Sequence, residues 1–406
     1  ILANTFGEVH FNDWLFYRSD FGLNQMFLTE ETYEGNITRE LAEANLRRYE
    51  VLSANFSNTL NFNSTFGKSN VTAMVGMETL KSKGIGSWVS GTEFSTDDLT
   101  LPGNASRTNG GTWLDRTNGF VSYFARAAYS FNDRYLFSGS IRYDGSSKFG
   151  PDNQYGIFPA ASLGWIISEE NFWNSGIFNY LKLRTSYGIQ GNAELPDFEW
   201  FGSYYSTNYN GSAGVGLNRI ENLNLAWEKS AQSDIGFDFG FLDGRIIGTI
   251  DYYYKSTTDM IMPVNIPQTS GASSVTLNVG EMNNWGWEFM ITSRNIITNK
   301  FKWTTDFNIS SNKNKIVQIE PDMIAGETFG NNFAVEGYAI GQWRLVKWAG
   351  VANEYMQVEL QLDPDLEELT MVEILPGEEI FYDHNGDITN EYNFDRDAKV
   401  VGNPYP

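Results

Sequence analysis

The stretch YDGSSKFGPDNQYGIFPAASLGW, residues 143–165, decides the fold. Its end, FPAASLGW, alternates small polar and apolar residues, the period of a strand whose two faces meet different surroundings. Its front is a run of Gly, Ser, Asp, Asn and Pro, the composition of a connection. A long polar connection between alternating strands recurs along most of the chain.

Working outward, residues 49–62 place Leu52, Ala54, Phe56, Leu60 and Phe62 on one face, with Glu50 and Asn58 as polar intruders. Residues 119–131 set Val121, Tyr123, Ala125, Ala127, Tyr129 and Phe131 against Ser122, Arg126 and Ser130. Residues 135–144 set Tyr135, Phe137, Ile141 and Tyr143 against Ser138, Ser140, Arg142 and Asp144. The same pattern predicts strands at 71–81, 158–167, 180–190, 228–242, 245–256, 279–294 and 300–311. Asp243-Gly244 is a strong hairpin signal. Residues 36–48 are the only candidate for a short helix, on propensity alone.

The connections alternate strictly: short at 63–70, long at 82–118, short at 132–134, long at 145–157, short at 168–179, long at 191–227, short at 243–244, long at 257–278, short at 295–299, then long from 312. A meander of this kind carries all its large loops on one rim, unlike a Greek-key sandwich, and as a transmembrane barrel does. The predicted strands run about 10 to 16 residues, against about 5 to 6 in globular sheets. A tilted strand needs about 9 to 11 to cross a bilayer. The expected fold class is therefore an all-β, antiparallel transmembrane barrel, with the apolar face on lipid and the Ser, Arg and Asp face on a wet lumen. Arg126, Arg142, Asp144 and Arg184 face that lumen by parity. Trp165, Tyr135, Tyr252, Tyr254, Trp285, Trp287 and Trp303, near strand ends, are expected in interfacial girdles.

Composition agrees. The chain has 406 residues, 15% aromatic, with formal net charge −22. Such acidity argues against a nucleic-acid partner. With no cysteine there is neither disulfide framework nor thiolate metal site. No 18-residue apolar run is present, and the mean hydropathy is −0.36; barrel strands, apolar on one face only, escape that measure. Two domains are expected: 1–312 as barrel strands and 313–406 as a long excursion of the loop rim. The excursion holds 18 acidic and 6 basic residues, a net of −12. Both ends read as cuts through something larger.

The residues FARAAYSFNDRYLFSGSIRYDGSSKFGPDNQYGIFPAASLGWIISEENFW (124–173), YLKLRTSYGIQGNAELPDF (180–198), WEKSAQSDIGFDFGFLDGRIIGTIDYYYKSTTDMI (227–261) and LNVGEMNNWGWEF (277–289) resemble the SusC/RagA class of TonB-linked outer-membrane proteins. Later segments, KWTTDFNISSNKNKIVQI (302–319), GYAIGQW (337–343) and VVGNPYP (400–406), match in the same order. The resemblance implies a piece of a 22-stranded barrel, with a plug and a TonB box outside this chain. It also implies a SusD-like surface lipoprotein as lid, energy from the TonB–ExbB–ExbD complex, and import of glycans or oligopeptides across the outer membrane of a Bacteroidota-like bacterium. The alternatives are a passive porin-like channel and a surface glycan-binding β-protein.

No enzyme is expected. Ser168, Glu169 and Glu170 form a solvated turn, and carboxylates doing acid–base work face each other across a substrate. His10 and His384 have no partner motif. Trp200, Phe201, Tyr204, Tyr205 and Tyr209 lie among Asn, Ser and Gly, and flat rings beside amides suit stacking on a sugar or a peptide side chain; they are the expected substrate contacts. Trp343 and Trp348 are expected against the lid. Asp383, Asn385 and Asp387 resemble the start of a calcium loop, though Ile388 replaces the glycine and Phe394 the closing glutamate. A structural calcium at 383–397, completed by Asp395 and Asp397, is the one candidate cation.

Overall fold

In the computed structural model, the described residues are 1–406 except 36–40, 175–176, 320–331, 361–369, 384, 391–398 and 403–406. Twelve strands form one antiparallel sheet in chain order: Leu2–Asn12, Leu15–Glu34, Glu43–Phe66, Ser69–Thr92, Arg107–Phe131, Tyr135–Ser146, Tyr155–Ile166, Phe178–Asn192, Glu228–Phe241, Ile246–Thr258, Glu281–Ile297 and Lys302–Gln318. Each strand pairs with its predecessor, so no connection crosses another. The hairpins Ser203–Tyr209/Ser212–Arg219 and Ile261–Asn265/Ser274–Asn278 rise from the long connections without joining the wall.

Register sorts the side chains as the alternation predicts. Tyr123 lies opposite Tyr143, Tyr129 opposite Phe137, and Phe137 opposite Leu163. Phe237 lies opposite Ile250, and Ile250 opposite Phe289. All of these but half-buried Phe289 stand exposed on one face, Tyr123 at 50% and Leu163 at 56%. Soluble monomers rarely show contiguous apolar patches above a few hundred Å²; here one covers the wall from strand to strand. On the other face Ser122 and Asp144 are buried, and Ser138 hydrogen-bonds Ser162 at 2.7 Å. Tyr252 and Tyr254 are register partners of Trp287 and Trp285 on the apolar face.

The turns follow from residues that accept left-handed backbone. Asn132 and Asp133, at φ 53° and 54°, close the Arg107–Phe131/Tyr135–Ser146 hairpin. Asp243 and Gly244 do so as expected, joined by Leu242 at φ 54°, a position that favours glycine.

The structure corrects several readings. Residues 43–48, placed in a helix by propensity, are strand, paired with 29–34 and 87–92; sheet pairing overrides a weak local preference. Residues 36–40 lie outside the described residues. The connection at 82–118 is mostly strand, because both flanking strands continue until only 93–106 is left between them. The wall runs on to Gln318, past the expected boundary at 312. Beyond it lie three small sheets, two of which share a separate core of Ala352, Val372, Ile374 and Ile380.

Candidate functional site at the long-loop edge

At the edge of the wall that carries the large connections, three of them are welded together. Phe149, Phe158, Leu195, Leu225 and Trp227 form a buried cluster, with Phe120, Trp200 and Ile261 packed against it. The Trp227 ring lies 4.8 Å from that of Phe149 and 5.2 Å from that of Phe158, and its Nε1–H donates to Gln154 O at 3.0 Å. Phe120 and Phe158 share the parity of Ser122 and Ser162, so the cluster sits on the polar face. Gly191 allows it: a Cβ there would come within 2.2 Å of the Phe158 ring.

Polar ties complete the weld. The Asp197 carboxylate accepts Thr117 N–H at 2.6 Å and the Asn118 amide at 3.0 Å. Lys148 Nζ stands 3.9 Å from it and donates to Leu195 O at 2.7 Å. Arg219 pairs with Glu199 at 3.1 Å, and Thr276 donates to Glu199 at 2.6 Å. Asn278 Oδ1 accepts Ala226 N–H while its Nδ2 donates to Ala226 O, both at 2.7 Å. Residues 147–154, 193–227 and 259–280 thereby become one shaped surface.

The expected aromatic contacts divide on that surface. Trp200 is half-buried in the weld, its Nε1–H donating to Ser147 O at 3.3 Å. Phe201 crosses its ring edge-on at 5.5 Å and is 52% exposed. Tyr204 is 70% exposed, and Tyr205 is exposed beside Gly216, where a Cβ would strike its ring. Tyr209 ends the same strand; its side chain lies outside the described residues. Trp343 and Trp348 are exposed on two different small sheets, in Gln342–Leu345 and Lys347–Val351. Asp383 is buried, and its Oδ1 accepts the backbone N–H groups of Asn385, Gly386 and Asp387 at 2.8–2.9 Å, so this oxygen caps its own turn. Asp395 and Asp397 lie outside the described residues. Among the described residues no three His, Asp or Glu side chains gather in metal-binding geometry.

Further along the polar face, Arg184 bridges three strands. Its Nε is 2.9 Å from Asp238 and its terminal nitrogen 2.7 Å from Asp251, with Lys182 3.9 Å from Asp238. Gly236 stands between Arg184 and Asp251 in register. A Cβ there would lie 2.1 Å from Asp251 Oδ1 and 2.9 Å from Arg184 Cζ, so glycine opens the crossing. Arg142 is 3.2 Å from Asp144, donates to Ser122 at 2.9 Å and lies over the Phe124 ring. Arg126 is exposed.

At the opposite, short-turn edge, Glu170 is more than a solvated turn residue. It accepts hydrogen bonds from Tyr135 Oη and from Trp165 Nε1 at 3.0 Å, and Arg134 lies 3.4 Å away. These donors, Tyr135 first, hold its carboxyl below the usual range. Spacing alone could not reveal Asp197, Glu170 or Gly236 as hubs, since their partners come from other strands. Trp227 was not singled out either; an aromatic ring at the mouth of a strand, beside Leu225 and Ala226, is the signal that could have found it.

Residues 4–390 match the family described as TonB dependent receptor-like, beta-barrel. The chain belongs to that family. It is 32% identical to TonB-dependent receptor P3 of Formosa agariphila, over all of this chain and 41% of that protein. It is 36% identical to TonB-dependent receptor SusC of Bacteroides thetaiotaomicron, over 67% of this chain and 27% of that one. A chain of the RagAB peptide transporter superposes with TM-score 0.79 at 22% identity, over 98% of this chain and 44% of that one; this likeness concerns the fold. The chain thus spans less than half the length of these relatives.

Proposed function

We propose that this chain is part of the wall of an outer-membrane barrel that imports oligomeric nutrients, driven through TonB. The observation that carries the reading is the two-faced wall: twelve strands with an apolar face largely exposed and a polar face that carries ion pairs. In lipid every backbone group must be paired, so such a sheet belongs to a closed barrel. Family membership supports the TonB link, and the likeness to SusC and to the RagAB peptide transporter supports glycans or oligopeptides as cargo and a SusD-like lipoprotein as lid. On this reading Phe201, Tyr204 and Tyr205 offer rings to a passing sugar or peptide, Trp200 fixes their platform, and Trp343 and Trp348 meet the lid.

The test is uptake of fluorescent oligosaccharides and oligopeptides by cells of the native host, with and without the full-length gene and with and without a protonophore. Uptake that requires both the gene and the proton gradient is the expected result. Gene-dependent uptake that ignores the protonophore would make the protein a passive channel. A full-length protein released from membranes without detergent would overturn the barrel reading and favour a surface glycan-binding protein.

A further inference from the structure

The apolar face of the Ser69–Thr92 strand reads Val71, Ala73, Val75, Met77, Thr79, then Lys81 and Lys83. Its pairing with Glu43–Phe66 has no register shift, so both lysines point to the same side as Val75. They are exposed, and their register neighbours are Ala54 and Gly119 for Lys81, Leu52 and Thr117 for Lys83. Neither forms an ion pair with a described residue. Exposed Arg48 stands on the same face but further out, at the level of Ser87, past Glu50 at the level of Ile85. The nearest acid on that face, Glu50, accepts Gln25 Nε2 at 2.9 Å. In a chain of net charge −22, two exposed lysines side by side on one face, neither in an ion pair with a described residue, are a local reversal of sign.

Their height is informative. Lys81 stands twelve residues beyond Ser69, and about 3.3 Å per residue at a tilt of about 40° gives about 30 Å. That is about the thickness of the hydrocarbon layer, so the lysines stand at its far surface, on the loop side. Beside Lys81 the face is hollow. A depression of about 570 Å³ lies lower on the same face, between Tyr17, Val75, Tyr123 and Ile141. A second, of about 490 Å³, opens at Lys81 itself over Gly119, Val121, Gly145 and Tyr155. The Tyr155 ring stacks on Tyr143 at 4.9 Å and 15°.

We infer that Lys81 and Lys83 bind the phosphate of an anionic lipid of the outer leaflet, whose chains lie in the hollow beside Tyr143 and Tyr155. The inference rests on the membrane placement proposed above. The two lysines supply charge complementarity at the depth of the headgroup, and the two depressions, one at that depth and one lower in the belt, give the chains an uneven apolar surface to lie on. A phosphorylated glycolipid and a phospholipid share this chemistry.

The test uses the full-length protein, purified in neutral detergent, and its thermal unfolding midpoint. Mixed micelles containing phosphatidylglycerol are compared with phosphatidylcholine and with inorganic phosphate alone. Each basic residue near an anionic surface contributes about fivefold in affinity, about 1 kcal/mol, so Lys81→Gln/Lys83→Gln is expected to weaken the anionic-lipid titration about thirtyfold. Lys68→Gln, at a short turn, is expected to leave it unchanged. Heat-modifiable electrophoretic mobility verifies that each variant is folded, and Lys81→Arg/Lys83→Arg, which keeps the charge, stands in should the glutamine pair not fold: it is expected to titrate as the unaltered protein does. An unchanged titration in the folded glutamine variant, a lost one in the arginine variant, or a response to phosphate alone would overturn the site. A protein that needs no detergent would instead overturn the membrane placement beneath it.

Discussion

Trp227→Ala tests whether the long-loop edge is one welded body. The ring is 4% exposed, and a buried aromatic covers about 150 to 250 Å², which at about 25 cal/mol per Å² is about 4 to 6 kcal/mol. Partial collapse of the site returns some of this, and measured Trp→Ala costs run about 3 to 5 kcal/mol. The loss leaves Gln154 O without its indole donor, a further cost of about 1 kcal/mol. The wall itself is untouched, because the Glu228–Phe241 strand keeps its ladder with Phe178–Asn192. The cost therefore falls on the opening of residues 147–154, 193–202 and 220–227. About 4 kcal/mol raises the open fraction by about a thousandfold. Limited proteolysis of the folded barrel should cut Trp227→Ala within those three segments together, with heat-modifiable mobility unchanged. Cutting confined to one segment, or none faster than in the unaltered protein, would refute the idea of a single body.

Phe137→Arg places a charge in the apolar belt and should cost about 2 to 4 kcal/mol in bilayer refolding, whereas Ser140→Gln, on the polar face, should cost less than about 1 kcal/mol; equal costs would mean that the faces are misassigned. Gly236→Ala should destabilise by about 1 to 3 kcal/mol through overpacking against Arg184 and Asp251, and by much less in an Asp251→Ala background, as a double-mutant cycle in denaturant would show. Glu170 has its folded value lowered, so its contribution is present above the ordinary carboxylate range and is lost as pH falls through the depressed value; hydrogen exchange at the Trp165 indole should accelerate on acidification, and Glu170→Gln should remove that acid step.

The wall was legible because a sheet with unlike faces writes its period into every strand. Phe56, Leu60, Tyr123 and Phe137 are exposed where alternation placed them, and Asp243-Gly244 turns where the dipeptide predicts. Lengths were less legible. Above the belt the strands pass through Lys81-Ser82-Lys83-Gly84 and Thr108-Asn109-Gly110, where both faces are polar and the period vanishes, although backbone pairing continues. The same blindness turned 43–48 into a helix, since Arg47 and Arg48 satisfy helical propensity as well as an exposed strand. At the candidate site, aromatic composition singled out residues 200–209 but could not distinguish Trp200, which anchors, from Tyr204, which is exposed. That distinction depends on Ser147 and Phe149, some fifty residues earlier in the chain.

The strand lengths carry a last consequence. Four neighbouring strands run 20 to 25 residues, and the seven that follow run only 12 to 17. At about 3.3 Å per residue and a tilt of about 40°, one flank stands about 20 to 30 Å taller than the other. The rim is thus slanted like a scoop. On the import reading proposed above, a long chain arriving over the low flank lies down against the high one, so that an internal segment as well as a free end makes first contact.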